Sequence, residues 1–212
     1  MSQDLKLYNS LSRKKEVFKP VNNDNVRLYA CGPTVYSFTH IGNARMAVVF
    51  DVLARVLRTL YPKVTYVSNI TDVDDKTIRE ARKSDLSLID FTAEWTKRFH
   101  QDAKELNMLD PHIEPSAVQH IPEQIQLIEK LIESGNAYPS EDGSVYFSVR
   151  SYPDYGKLTR IDRRDLKAGA GHAVNDADEY EKDDVSDFVL WKARKQEDGD
   201  NFWDSPWGEG RP

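Results

Sequence analysis

The stretch "YACGPTVYSFTHIGNAR", Tyr29 to Arg45, decides how this chain is read. It holds the single cysteine, Cys31, followed by Gly32-Pro33 and then by His40-Ile41-Gly42-Asn43. Upstream, "NVRLYACG" alternates Val26, Leu28 and Ala30 with polar or aromatic neighbours, which predicts a strand ending at the Gly-Pro turn. Downstream, Met46, Val49, Phe50, Leu53, Val56, Leu57 and Leu60 recur every three or four positions, which predicts an amphipathic helix with one apolar face. "KVTYVSNI", Lys63 to Ile70, is rich in β-branched and aromatic residues and reads as a second strand. Strand, helix and strand over this length make a βαβ unit with parallel strands, so the expected class is α/β.

A chain of 212 residues and 24.4 kDa suits one large domain, or one domain carrying an insertion. The net charge of −6 and pI near 5.4 leave no global basic footprint, which argues against non-specific DNA binding. One cysteine excludes an internal disulfide and fits a reducing compartment. The first twenty residues, "MSQDLKLYNSLSRKKEVFKP", hold no uninterrupted apolar run. The expectation is therefore a cytoplasmic protein with no signal peptide or membrane span.

Beyond Leu86 the texture changes. "FTAEWTKRFHQDAKELNML" and "SAVQHIPEQIQLIEKLIESG" predict helices, the second with Ser116 as N-cap and Gly135 as C-cap. "AYPSEDGSVYFSV" predicts a hairpin turning at Glu-Asp-Gly, and "DFVLWKA" a strand. Asp162 to Asp187 is acidic and poor in apolar residues, which predicts a loop. The closing "NFWDSPWGEGRP" predicts irregular structure.

A helix N-terminus behind a glycine-containing turn presents backbone N–H groups and the positive end of the helix dipole, which together suit a phosphate. His40 and Asn43 flank Gly42 at that point, and Gly42 has no Cβ to hold a nucleotide off the backbone. No G-x-x-x-x-G-K-S/T occurs, so any ATP cradle here is not a P-loop. From these residues alone, a surface histidine beside a helix start accounts for the tetrapeptide equally well. A buried thiol at the end of a core strand likewise accounts for Cys31. Asp72, Asp74 and Asp75 suggest magnesium, but carboxylates capping the helix begun at "KTIREAR" explain them more simply. Trp95, Trp191, Trp203 and Trp207 read as packing anchors. Arg160, Arg163, Arg164 and Lys167 read as a solvated charged face rather than as nucleic-acid phosphate contacts.

Taken together, "YACGPTVYSFTHIGNAR", "YVSNITDVDDKTI", "LYNSLSRKKEVFKP", "GKLTR", "DFVLWKARK" and "PWGEGRP" resemble the cysteinyl-tRNA synthetases, in that family's order and over nearly the whole chain. His40-Ile41-Gly42-Asn43 matches the first signature of class I aminoacyl-tRNA synthetases, in its variant ending in Asn. The resemblance implies the first half of a Rossmann-like nucleotide-binding fold over residues 1–112 and a mixed α+β connective insertion over 113–212. It further implies that Cys31 is a zinc ligand, that Gly32, Thr34 and Thr71 lie beside the substrate cysteine, and that His40, Ile41, Gly42 and Asn43 bind ATP. His40 and Asn43 would be the catalytic pair, stabilising charge on the triphosphate. A zinc with an open position would select cysteine by its sulfur, which a pocket that merely fits volume does poorly.

The implied reaction joins L-cysteine to its tRNA with ATP and magnesium. The family pattern continues past "PWGxGRP" into "GWHIEC" and later "KMSKS", neither of which occurs here. The expectation is an amino-terminal portion carrying one of four zinc ligands and inactive alone. Two other readings stand beside it. One is a truncated, non-catalytic relative that binds ATP, tRNA or a partner. The other is a ligase of the same fold that joins cysteine to an amino sugar.

Overall fold

The structure, a computed structural model, describes residues 4–160 and 187–212. In chain order the elements are β1 (Lys6–Asn9), β2 (Lys14–Val17), β3 (Val26–Ala30), α1 (Ile41–Leu60) and β4 (Val64–Ser68). They continue with α2 (Asp75–Lys83), α3 (Leu88–Glu105), α4 (Ile121–Glu133), β5 (Ala137–Pro139), β6 (Val145–Phe147), β7 (Phe188–Ala193) and β8 (Gly210–Arg211). Two compact units result, one of residues 20–121 and one of residues 1–19 with 122–212.

The 20–121 unit is the predicted βαβ. β3 and β4 pair in parallel from Val26 opposite Val64 to Ala30 opposite Ser68, with α1 between them in sequence. Residues 113–116 extend this pair on the β4 side through parallel bridges Val67–Ile113 and Ile70–Ser116. The core under α1 is built from Ala30, Ala54 and Tyr66, with Leu28 and Phe50 packed against them. Parallel pairs of this kind are ordinarily covered on both faces.

The expectation of a single buried apolar face on α1 needs correction. Leu57 and Ala54 are buried, but Val49, Val52 and Leu60 are 55%, 53% and 45% exposed. The apolar residues form two stripes, and the described residues cover only the one facing β3 and β4. Asp51, buried at a core-facing position, ties α1 to the segment after α3. Its carboxylate accepts from Arg55 Nε at 2.7 Å and from the Leu109 N–H at 2.9 Å, while Arg55 Nη2 donates to the Asn107 carbonyl at 2.6 Å.

The other unit holds the β1–β2 hairpin and an antiparallel sheet in the order β5-β6-β7-β8. Its centre is the fully buried pair Tyr146 and Trp191. The β5–β6 hairpin turns as predicted, with Asp142 Oδ1 accepting from the Ser144 N–H at 2.8 Å and Gly143 at φ 89°. α4 starts later than its sequence suggests. Ser116 Oγ accepts from the Gln119 N–H of a short 3₁₀ turn, and the helix proper begins at Ile121. Gly135, at φ 73°, follows its C-terminal end.

The predicted acidic loop falls almost wholly on residues outside those described. Its last residue, Asp187, is buried and accepts from Tyr138 Oη and the Val149 N–H, both at 2.9 Å. The closing stretch carries β8, and Trp207 meets the Trp191 ring edge-on at 6.1 Å. Of the basic group at 160–167 only Arg160 is described, and its guanidinium donates to the Leu11 carbonyl at 3.5 Å.

Asp51→Ala should cost about 1–3 kcal/mol, because the Leu109 N–H loses its acceptor and Arg55 loses its carboxylate while keeping the Asn107 carbonyl. Asp51→Asn, which still accepts from Leu109, should cost less. Urea midpoints of the two variants check the order.

Candidate active site

The loop after β3 is held against the strand end after β4 by backbone pairing. The Val35 N–H donates to the Thr71 carbonyl at 3.2 Å, the Thr71 N–H donates to the Pro33 carbonyl at 2.9 Å, and Thr34 and Thr71 form a parallel bridge. Gly32 sits so close to the neighbouring chain that a Cβ built on it would lie 1.6 Å from the Asn69 carbonyl oxygen. No side chain fits there.

This packing leaves a cavity of about 350 Å³ outside the carboxyl ends of β3 and β4, where open α/β sheets bind their ligands. Cys31, Gly32, Thr34 and Asn43 line it. Polar groups not predicted from sequence join them, among them Asp51, Tyr66, Lys76, His100 and Glu114. His100 Nε2 is 2.8 Å from Glu114 Oε2. Burial pushes the Tyr66 phenol above its ordinary range, against a smaller opposing effect of the Ser68 side chain, so the phenol stays protonated at neutral pH. These groups come from α1, β4, α2, α3 and the segment behind α3, so no single sequence window displays them. Asp51 alone carried a local signal, as a carboxylate in the core-facing register of an amphipathic helix.

Cys31 is exposed, with its thiol 3.7 Å from the Gly32 carbonyl. The buried-thiol reading is thereby excluded. Among the described residues no group of three His, Cys, Asp or Glu side chains is placed to hold a metal ion. These residues therefore do not make a zinc site by themselves.

His40 is the N-cap of α1. Its Nδ1 accepts the Gly42 N–H at 3.1 Å, and its carbonyl accepts from the Asn43 and Ala44 N–H groups at 2.9 and 3.0 Å. The helix start is thus less open than its sequence suggests, since much of its first turn is satisfied internally. Because Nδ1 is the acceptor, the neutral imidazole carries its proton on Nε2, away from the cap. Of the predicted tetrapeptide only Asn43 lines the cavity. His40, Ile41, Gly42 and Thr71 are not part of its wall. Asp74 caps α2, accepting from the Lys76 and Thr77 N–H groups, as the simpler sequence reading held. Asp72 instead accepts from Ser116 Oγ at 2.5 Å and the Val118 N–H at 2.9 Å.

A parallel βαβ with a crevice at its strand ends and a histidine-capped crossover helix defines an open α/β domain. Residues 17–212 match the family model described as the tRNA synthetases class I (C) catalytic domain, and the chain belongs to that family. The cysteine–tRNA ligase of Opitutus terrae is 52% identical over 213 residues, covering 98% of this chain and 47% of that protein. The cysteine–tRNA ligase of Brachyspira hyodysenteriae is 48% identical over 211 residues, covering 99% of this chain and 44% of that protein. The chain thus spans under half the length of these curated relatives. Among the described residues, no helix is long and apolar enough to cross a membrane.

Gly32→Ala should destabilise the 20–121 unit by about 2–4 kcal/mol, because the Cβ overlaps main chain rather than a movable side chain. Thermal melting of the variant tests this. A melting point equal to the parent's would mean that the loop can lift off Asn69 at no cost.

Proposed function

We propose that this chain is the amino-terminal part of a cytoplasmic cysteine–tRNA ligase. The observation that carries the reading is the convergence of Cys31, Gly32, Thr34 and Asn43 on one cavity at the strand ends, beside a helix start capped by His40. The family membership and the two cysteine–tRNA ligase relatives support the cysteine specificity.

In the proposed first step a carboxylate oxygen of L-cysteine attacks the α-phosphorus of ATP, which is accompanied by magnesium. The O–P bond forms, pyrophosphate leaves, and cysteinyl-adenylate results. His40 Nε2–H donates to triphosphate oxygens as negative charge builds, with the Asn43 side chain beside it and the α1 dipole behind both. Catalysis here consists of positioning and charge stabilisation, and no protein nucleophile is needed. A ribose hydroxyl at the tRNA 3′ end then attacks the adenylate carbonyl and releases AMP. Gly32, Thr34 and Thr71 flank the cysteine. Cys31 offers one thiolate toward zinc, and no step is routed through that metal because the described residues do not complete its site.

Cysteine-dependent ATP–pyrophosphate exchange tests the proposal in a full-length ligase carrying this chain as its amino-terminal part. Cys31→Ser should abolish cysteine-dependent exchange. His40→Asn should keep the helix cap, worth about 1 kcal/mol, and still lose on the order of 100-fold in rate. His40→Ala should lose both. The 212-residue chain alone should show no exchange, and full turnover by it would overturn the assignment of the site to an incomplete half.

A further inference from the structure

Asn69 belongs to none of the residues that the resemblance assigns to the site, yet it joins two of them. Its Oδ1 accepts from the Gly32 N–H at 3.1 Å and from Tyr29 Oη at 3.0 Å, while its Nδ2 donates to Thr71 Oγ1 at 3.1 Å. The orientation of the carboxamide is not ambiguous, because a backbone N–H can only donate, and so the atom facing Gly32 must be the oxygen.

We propose that Asn69 is a positioning residue for the amino-acid subsite, setting the hydrogen-bond polarity of Thr71 and Gly32. This rests on the ligase reading above. Thr71 Oγ1 receives a proton from Nδ2, so its own hydroxyl proton remains free to donate to a substrate oxygen. The Gly32 N–H is consumed by Oδ1, so Gly32 can meet a substrate only through its carbonyl, as an acceptor. The subsite is thereby given one donor and one acceptor, the complement of a carboxyl oxygen and an ammonium group on an amino acid. Only a carboxamide accepts at one end and donates at the other from this position. An aspartate would accept at both ends and would draw the Thr71 proton toward itself.

Asn69→Asp is therefore the informative variant, since it is isosteric and keeps the acceptor for Gly32 and Tyr29. In the full-length ligase it should raise the KM for cysteine about tenfold or more with the KM for ATP unchanged. Its melting temperature should stay close to the parent's. In a Thr71→Val background the same change should have no further effect on the cysteine KM. A cysteine KM within twofold of the parent's, or equal losses for both substrates, would overturn the proposal.

A second arm needs no activity. In the 212-residue chain, hydrogen exchange at the Gly32 amide should accelerate in Asn69→Ala and stay slow in Asn69→Asp. Unchanged Gly32 exchange in Asn69→Ala would also overturn the proposal. If the parent ligase shows no cysteine-dependent exchange while the amide behaves as expected, the coupling stands and the ligase reading falls.

Discussion

The approach of Gly32 to the Asn69 carbonyl is the constraint on which the rest of the site depends. Two parallel strands end side by side, and the loop leaving the first must cross the end of the second at backbone contact distance. Only a residue without Cβ permits this. Once the loop lies there, the paired backbone groups of Pro33, Val35 and Thr71 lock it in register. Cys31, one residue past the buried Ala30, lines the cavity, and residues 36–39 lead on toward α1. The course of the loop from Cys31 to His40 thus starts from one glycine seated on the neighbouring main chain.

The start of α1 shows the same economy. A histidine is an unusual N-cap, since Ser, Thr, Asp and Asn are favoured there. Here the imidazole takes the Gly42 N–H on one nitrogen and leaves the other as a donor. Capping thus uses one edge of the ring, and the proposed phosphate contact would use the other. A carboxylate cap would satisfy the helix equally but would repel a phosphate, and a serine would cap without reaching beyond the first turn. Near the middle of the same helix, Asp51 both lines the cavity and braces the fold. It is a buried charge balanced by Arg55 and the Leu109 amide, and it holds the segment behind α3 against the cavity wall.

Much of this was legible in the sequence because it is written locally. β3, α1 and β4 each have a period that a short window displays, and their order dictates a parallel pair. The Glu-Asp-Gly turn and Gly135 are equally local. What stayed hidden depends on proximity across the chain. Lys76, His100 and Glu114 reach the cavity from separate elements, and no short window shows the three converging. Asn69 reads as an ordinary polar residue at a strand end, and its role appears only when Gly32 and Thr71 are placed around it. The two stripes of α1 were misread for a related reason. Periodicity reports which residues are apolar, whereas burial depends on what lies opposite. The β1–β2 hairpin has a different cause, since "KLYN" and "KKEV" are short, largely exposed strands without the alternation that a buried face imposes.

The exposure of Cys31 removes the buried-thiol reading that its place at a strand end favours. A lone cysteine at the end of a core strand is most often a small buried hydrophobe. Strand alternation puts Cys31 on the side of Arg27 and Tyr29, both exposed, and opposite the buried Ala30. The Gly32-Pro33 turn follows at once, with Gly32 seated on Asn69. The strand's register therefore accounts for the exposure, and it leaves the thiol at a cavity lined by polar and apolar side chains alike. Under the proposed ligase reading that position is useful, because Thr34, Asn43 and Lys76 line the same cavity and a ring nitrogen of His40 is left free at the adjoining helix start.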